Sequence, residues 1–225
     1  MKRMIVRWAG ALVALVLTVS GCGAPPPEGT VPSGVEVEDV TVPYRSGTED
    51  GKLTFLEFTR YTGGFLEDGS GDPVEDVAAI LVQNTTSEYL QYAQLRFQIG
   101  GAEATFLVTG LPPGARCWVL ERDRLTVEAD LVYRYIEGST AFVPVGEDTG
   151  MDVELKDGSL VVRNLSETDA SEVYVYYRTV HEDGNYFGGI TYRCSAGALA
   201  AGEQAEVTAG HCDPEVTRVV RIERS

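Results

Sequence analysis

The sequence predicts an all-β protein built from two β-sandwich domains in tandem, and three features of the chain lead to this prediction. From Val35 onward, no long window places apolar residues at the three- and four-residue spacings of an amphipathic helix. Short stretches rich in β-branched and aromatic residues recur instead, separated by turn residues such as Asp-Gly and Pro-Gly. The two halves of this region also repeat one order of strands and turns.

The first half contains six strand candidates, most of them bounded by Gly, Pro, Asn or Asp. Between Ala93 and Ile99, apolar and polar side chains alternate, which places one face of the strand in the core and the other in water. The continuous apolar run 77–82 is typical of a buried strand. The candidates are 53–58, 77–82, 93–99, 104–108, 117–120 and 125–135.

The second half contains strand candidates of the same kind. The run 160–162 follows the hairpin turn Asp157-Gly158. The run 173–177 consists of Val and Tyr, which suit a pleated surface. The candidates are 160–162, 173–177, 187–194, 205–208 and 216–222.

The two halves share one order of features. In each, a buried strand ends in an Asn-led turn at Asn84 or Asn164, and an alternating strand, a hairpin and a Leu-x-x-Gly turn follow. An Asn side chain can hydrogen-bond the backbone two residues further on, which favours such turns. This order is expected of a true internal repeat, and it is also expected of two β-meanders that share turn chemistry.

The shared pattern resembles the small immunoglobulin-like β-sandwich domains of bacterial envelope lipoproteins, including the FxLYD type. The resemblance covers most of 77–120 and of 159–207. The literal FxLYD string is absent, and the matching strands read Leu-Arg-Phe-Gln at 95–98 and Val-Tyr-Tyr-Arg at 175–178. The resemblance implies two tandem immunoglobulin-like sandwiches in the cell envelope, and it carries no catalytic residue over to this chain.

The N-terminus has a basic tip, an apolar run at 8–19, and then small residues that lead to a cysteine. The run is shorter than the roughly 20 apolar residues of a spanning helix, and Val-Ser-Gly-Cys at 19–22 resembles a lipoprotein lipobox. That resemblance implies a signal peptide, a lipid on Cys22, and an anchor on the extracytoplasmic face of the cell membrane. An ordinary secretory signal and an uncleaved anchor are the alternatives.

These inferences predict four segments. A lipoprotein signal peptide occupies 1–21, and a lipidated N-terminus with a Pro/Gly linker occupies 22–34. The first sandwich is expected at 35–137 and the second at 138–225. The prolines of the linker favour an extended chain that would hold the folded part away from the membrane.

The formal net charge of −16 argues against nucleic acid as a partner, because phosphate binding needs clustered Lys and Arg. With Cys22 assigned to the lipid, the other thiols are Cys117, Cys194 and Cys212, which allow at most one disulfide within the chain. Cys194 and Cys212 are the expected pair if a bridge forms, and free thiols are the alternative. We expect Cys117 to behave as a small buried apolar residue.

The sequence contains no motif for catalysis or for a cofactor. It has two histidines, no Gly-x-Ser-x-Gly elbow, and no ligand spacing of a structural zinc site. Two acidic turns, 67–72 and 147–152, are either solvated turns or calcium sites without the EF-hand pattern. We therefore expect no enzyme activity, no metal and no cofactor.

An aromatic surface is the candidate binding site. By the two-residue period of a strand, Tyr174, Tyr176 and Arg178 share one face, and the residues between them share the other. If the valine-rich face is the core, the tyrosines and the arginine form an interaction surface; burial against the other domain is the alternative.

The sequence thus favours a non-enzymatic lipoprotein that binds or scaffolds another envelope component, either protein or glycan. A solute- or cation-binding surface lipoprotein is the second hypothesis. A hydrolase that uses surface carboxylates is the third.

Overall fold

A computed structural model describes residues 47–128 and 132–225 of the protein, and all regular elements in these ranges are strands. The predicted all-β class is confirmed. A helix that could span a bilayer is absent from these two ranges. The signal peptide, Cys22 and the linker lie outside the described residues. The strands are β1 (Leu53–Gly64), β2 (Pro73–Asn84), β3 (Tyr89–Ile99), β4 (Ala102–Leu111), β5 (Arg116–Leu120), β6 (Tyr133–Val143), β7 (Met151–Lys156), β8 (Ser159–Asn164), β9 (Ala170–Val180), β10 (Tyr186–Leu199), β11 (Gln204–Thr208) and β12 (Thr217–Arg224).

One six-stranded sheet runs through both halves of the chain, in the order β1-β2-β5-β10-β9-β12. Its strands are antiparallel except at the centre, where β5 and β10 pair in parallel through Cys117 and Tyr186, and through Trp118 and Phe187. Two three-stranded sheets, β4-β3-β6 and β11-β8-β7, complete the fold. The parallel pair therefore joins strands of the first half to strands of the second half.

The three-stranded sheets cover opposite faces of the long sheet. On β2, Ile80 belongs to the core that packs against β4-β3-β6, whereas its neighbour Ala79 belongs to a separate apolar cluster on the other face. On β9, Tyr177 packs into the core beneath β11-β8-β7, whereas Arg178 points the opposite way, toward Cys117 of the first core. The result is two sandwich-like halves that share the long sheet. The sheet β4-β3-β6 covers one face of it in the first half, and β11-β8-β7 covers the opposite face in the second half.

The first half of the fold ends with strand β6. The expected boundary between 137 and 138 falls inside this strand, which pairs with β3 from Tyr133 to Val143. The described residues from 47 onward belong to one compact unit. The division into two domains stays a prediction.

The two Asn-led turns have the same hydrogen bonds. Asn84 and Asn164 are fully buried, and the Nδ2 group of each donates to the carbonyl four residues on, at 2.8 and 2.9 Å. Each Nδ2 also donates to two carbonyls of the Leu-x-x-Gly turn of its own half. Each Oδ1 accepts from the backbone N–H two residues on, as an Asx turn requires. The Asn-led turn of the second half therefore has the same hydrogen-bonding pattern as the Asn-led turn of the first half.

Strand β10 is interrupted where it leaves β5 and joins β9. Its pairing with β9 breaks between Phe187 and Tyr192. Within the break, a Cβ atom on Gly189 would lie 1.7 Å from the carbonyl oxygen of Leu107 on β4. Glycine is required there because any side chain would collide with the β4 backbone.

Candidate functional site

One face of the second half has no covering sheet. On strands β9, β10 and β12, the side chains that point away from β11-β8-β7 form a layer that we call the open face. Tyr174 and Tyr176 lie at its centre and are both half-buried. Their cross-strand partners complete it on either side. The open face consists of Tyr174, Tyr176, Arg193, Ser195, Arg221 and Glu223.

Hydrogen bonds and ring contacts hold the open face in place. The hydroxyl of Tyr176 donates to Glu223 Oε2 at 2.7 Å, and burial raises the pKa of this tyrosine. The guanidinium of Arg193 lies 4.6 Å from the centre of the Tyr174 ring. The Nε of Arg221 is 2.8 Å from Glu223 Oε1. The face therefore offers aromatic rings and charged groups in fixed positions.

Two neighbouring concavities lie at the edge strand β12, where the chain between β6 and β7 passes. The edge cleft has a volume of about 630 Å³ and is lined by Tyr174, Arg221 and the segment 146–149. The Tyr89 cavity has a volume of about 290 Å³ and is lined by Tyr89, Arg221 and the same segment. Arg221 is thus common to both.

The segment between β6 and β7 is tied to β12 by Arg224. Its Nη1 donates to the carbonyl oxygen of Thr149 at 3.0 Å and to the hydroxyl of Ser166 at 2.8 Å. Its Nη2 donates to the hydroxyl of Thr168 at 2.7 Å. These bonds fix one wall of the edge cleft.

Arg178 is not part of the open face. The prediction that it belongs to an exposed surface is wrong, because its side chain is fully buried between the two halves. It donates to the carbonyl oxygens of Thr109 and Gly188, and to Cys117 Sγ at 2.8 Å. The parallel pairing of β5 with β10 brings β4 and β5 over this end of β9. For Arg178, the alternative of burial against the other half is the correct one.

Around Arg178 lies a polar junction between the halves. The carboxylate of Glu67 accepts from the backbone N–H of Leu120 at 2.7 Å and from that of Gly189 at 2.6 Å. Burial raises the pKa of Glu67 to about 7 and that of the Cys117 thiol to about 12. A thiol held in its protonated form is a poor nucleophile, so Cys117 serves the junction as a packing residue.

Tyr89 and Arg221 are the functional candidates that the sequence did not indicate. Tyr89 begins β3 and is 6 % exposed, and the Arg221 guanidinium lies 5.0 Å from the centre of its ring. In the described part of the chain, every buried side-chain N or O atom without a hydrogen-bond partner belongs to Tyr89, Arg178 or Arg221. No sequence signal joins them, because each lies on a different strand and their approach depends on tertiary structure.

The remaining cysteines lie in the cores. Cys117, Cys194 and Cys212 are all free thiols in the structure. Cys212 is buried in the second core and Cys194 packs against it, and burial raises the pKa of both. A bridge between Cys194 and Cys212 stays a prediction.

Within 47–128 and 132–225, no three His, Cys, Asp or Glu side chains converge as a metal site would require. In the acidic turn 67–72, Asp68 and Asp72 instead accept from Arg124 Nη2, at 2.8 and 3.2 Å. Glu67 of the same turn belongs to the junction.

Comparison with known proteins finds no family model and no curated protein that matches the chain.

Proposed function

We propose that the protein is a membrane-anchored lipoprotein that acts without catalysis, as a binding or scaffolding module for another component of the cell envelope, protein or glycan. The lipobox resemblance at Cys22 supports the anchor and the extracytoplasmic location. The open face and its edge cleft support the binding role.

The observation that carries the proposal is the combination of half-buried tyrosines, arginines and a cleft on one uncovered face. Tyrosine and arginine are enriched at protein interfaces and among the residues that dominate binding energy. A volume of about 630 Å³ lies within the usual range of ligand sites. Because Tyr176 and Arg193 are already held by neighbours, binding would cost little side-chain entropy.

Photo-crosslinking in the native envelope tests the binding role. A photoreactive residue is placed at position 174 on the open face, and in a matched chain at position 163, an equally half-buried site on β8 beneath the opposite face. We expect one envelope component to be captured from 174 and not from 163. Identical capture from both positions would contradict the proposal.

The anchor has its own test. Cys22→Ser removes the thiol that lipidation needs, so we expect the variant to leave the membrane fraction and to lose labelling by a radioactive fatty acid. A variant that stays in the membrane fraction and keeps the fatty-acid label would rule out lipidation at this position.

A second candidate function, binding of a small cation, is favoured by a groove on the other side of the molecule. The rings of Tyr61, Phe187 and His181 lie in a row along a groove of about 660 Å³, tilted against one another, with centre-to-centre distances of 4.9 and 5.3 Å. Arg218 and the carboxylates of Glu182 and Glu215 also line it, and the two carboxylates have no ion pair within the described residues. Rings and free carboxylates suit an organic cation. Choline should bind there more tightly than its neutral analogue 3,3-dimethylbutanol, and equal binding would remove this candidate.

A further inference from the structure

We infer that Glu67 is a pH-sensitive latch between the two halves of the molecule, closed when its carboxyl group is protonated and opened locally when that group ionises. Glu67 belongs neither to the open face nor to the lining of the edge cleft. The inference therefore goes beyond the proposed function and does not depend on the partner that the open face binds.

The first argument is the position of the Glu67 carboxyl group, which bonds to both halves from the connection between β1 and β2. One oxygen accepts from the backbone N–H of Leu120 at 2.7 Å, at the end of β5. The other accepts from the backbone N–H of Gly189 at 2.6 Å, on β10. Gly189 lies in the break of β10, where the pairing with β9 is interrupted. The bond to Glu67 therefore holds a stretch of β10 that lacks its neighbouring strand.

The second argument is that an ionised Glu67 has too few partners in the closed junction. Within the described residues, the two N–H groups are the hydrogen-bond donors that reach it, whereas a carboxylate can accept about four hydrogen bonds. The charge of Arg178 acts on Glu67 from β9, but the guanidinium donates to two carbonyl oxygens and a sulfur atom instead. A buried charge without a direct partner is less stable than one in water. Ionisation therefore favours any arrangement in which water reaches Glu67.

The other titratable groups that face Glu67 do not neutralise its charge. Asp68, next to it in the connection, is itself acidic and raises the pKa of Glu67. Cys117 on β5 and Tyr192 on β10 both have a pKa that burial raises, so they stay uncharged near neutral pH. Arg178 on β9 is the cation among these groups. Burial outweighs it and raises the pKa of Glu67 to about 7.

The third argument is that the opening can stay local. Phe65, two positions before Glu67, is buried in an apolar cluster. Asp68 and Asp72, after Glu67, are held by Arg124. The connection is thus anchored on both sides of Glu67. Water can reach the carboxylate if it separates from the two N–H groups, without unfolding of either core.

Hydrogen exchange of the full-length protein in detergent tests the inference. The exchange rates of the Leu120 and Gly189 amides are measured from pH 5 to pH 8 and corrected for the intrinsic effect of pH on exchange. The pKa of Glu67 is about 7 in the closed state and returns to 4.5 in water, so the opening equilibrium should rise roughly 50- to 100-fold over this range. An opening equilibrium that is the same at pH 5 and pH 8 would overturn the inference.

Two comparisons separate a latch from general unfolding. In Glu67→Gln, which keeps the size of the side chain and cannot ionise, the exchange of the same two amides should lose this pH dependence. In the unaltered protein at pH 8, both amides should exchange faster than the amide of Val162, which lies in the second core. The same pH dependence in the variant, or exchange no faster than at Val162, would show that Glu67 is not a latch.

Infrared spectroscopy of the unaltered protein follows the carboxyl group itself and needs no variant. A protonated carboxyl group absorbs at a different frequency from a carboxylate, and at pH 6 ordinary Asp and Glu side chains are almost all ionised. Glu67 should therefore give a protonated-carboxyl band at pH 6 that disappears as the pH rises through about 7. Absence of this band at pH 6 would overturn the inference, even if Glu67→Gln failed to fold.

Discussion

Two arginines flank Tyr89, and their surroundings differ. Arg178 is fully buried and donates to two carbonyl oxygens and a sulfur atom. Arg221 retains a fifth of its side-chain surface and forms an ion pair with Glu223 at 2.8 Å. Among the described residues, Arg221 Nε and Nη1 have no hydrogen-bond partner, and neither does Arg178 Nε.

The difference follows from which strand lies above each residue. Arg178 lies where β4 and β5 meet β9, so backbone acceptors surround it. Arg221 lies beyond them on the edge strand, beside a cavity. The comparison indicates that the same residue type joins the two halves at one position and forms an ion pair within the edge strand at the other.

The largest effect should come from Arg178→Met. It removes a buried cation whose charge acts on Glu67 and leaves the carbonyl of Gly188 without its guanidinium donor, which should lower the free energy of unfolding by about 3–5 kcal/mol. Arg221→Met should cost about 1 kcal/mol or less, since it loses one ion pair and a contact with a ring. Denaturant titration measures both. Similar losses in the two variants would show that the two arginines are structurally alike.

Gly189→Ala probes the same junction through its backbone. The new Cβ would meet the carbonyl oxygen of Leu107 at 1.7 Å, so we expect a loss of about 1–3 kcal/mol from the forced separation of β4 and β10. Gly210→Ala is the matched control, because a Cβ there meets nothing within 4 Å. Equal stability of the two variants would mean that the halves can separate at the junction without cost.

The contrast between the arginines also shows where the sequence was informative. Alternation along 173–178 placed Tyr174, Tyr176 and Arg178 on one face, and the structure agrees on the face. The alternation could not show that the first half covers the end of that face, because the parallel pairing of β5 with β10 joins residues about 70 positions apart. Local periodicity carries no information about such a contact.

The same limit explains what was missed at the site. The Asn-led turns were readable because an Asx turn forms within a few residues of chain. Tyr89 and Arg221 meet across more than a hundred residues, and Tyr89 in the sequence is one more aromatic residue at the start of a strand. The cavity between them depends on the register of β12, which shifts between Val219 and Arg221.

The junction should also make the stability of the protein depend on pH. Burial raises the pKa of Glu67 from 4.5 to about 7, so between these values the folded protein binds more protons than the unfolded chain. Stability should therefore fall as the pH rises through this window, by up to about 1.4 kcal/mol per pH unit, with the penalty complete above about pH 7. Glu67→Gln cannot titrate, so its unfolding free energy, measured with denaturant from pH 5 to pH 8, should lack this component. If the unfolding free energies of the two proteins changed with pH in parallel, Glu67 would ionise as freely in the folded junction as in water. The junction around Arg178 would then be as hydrated as the open face around Arg221.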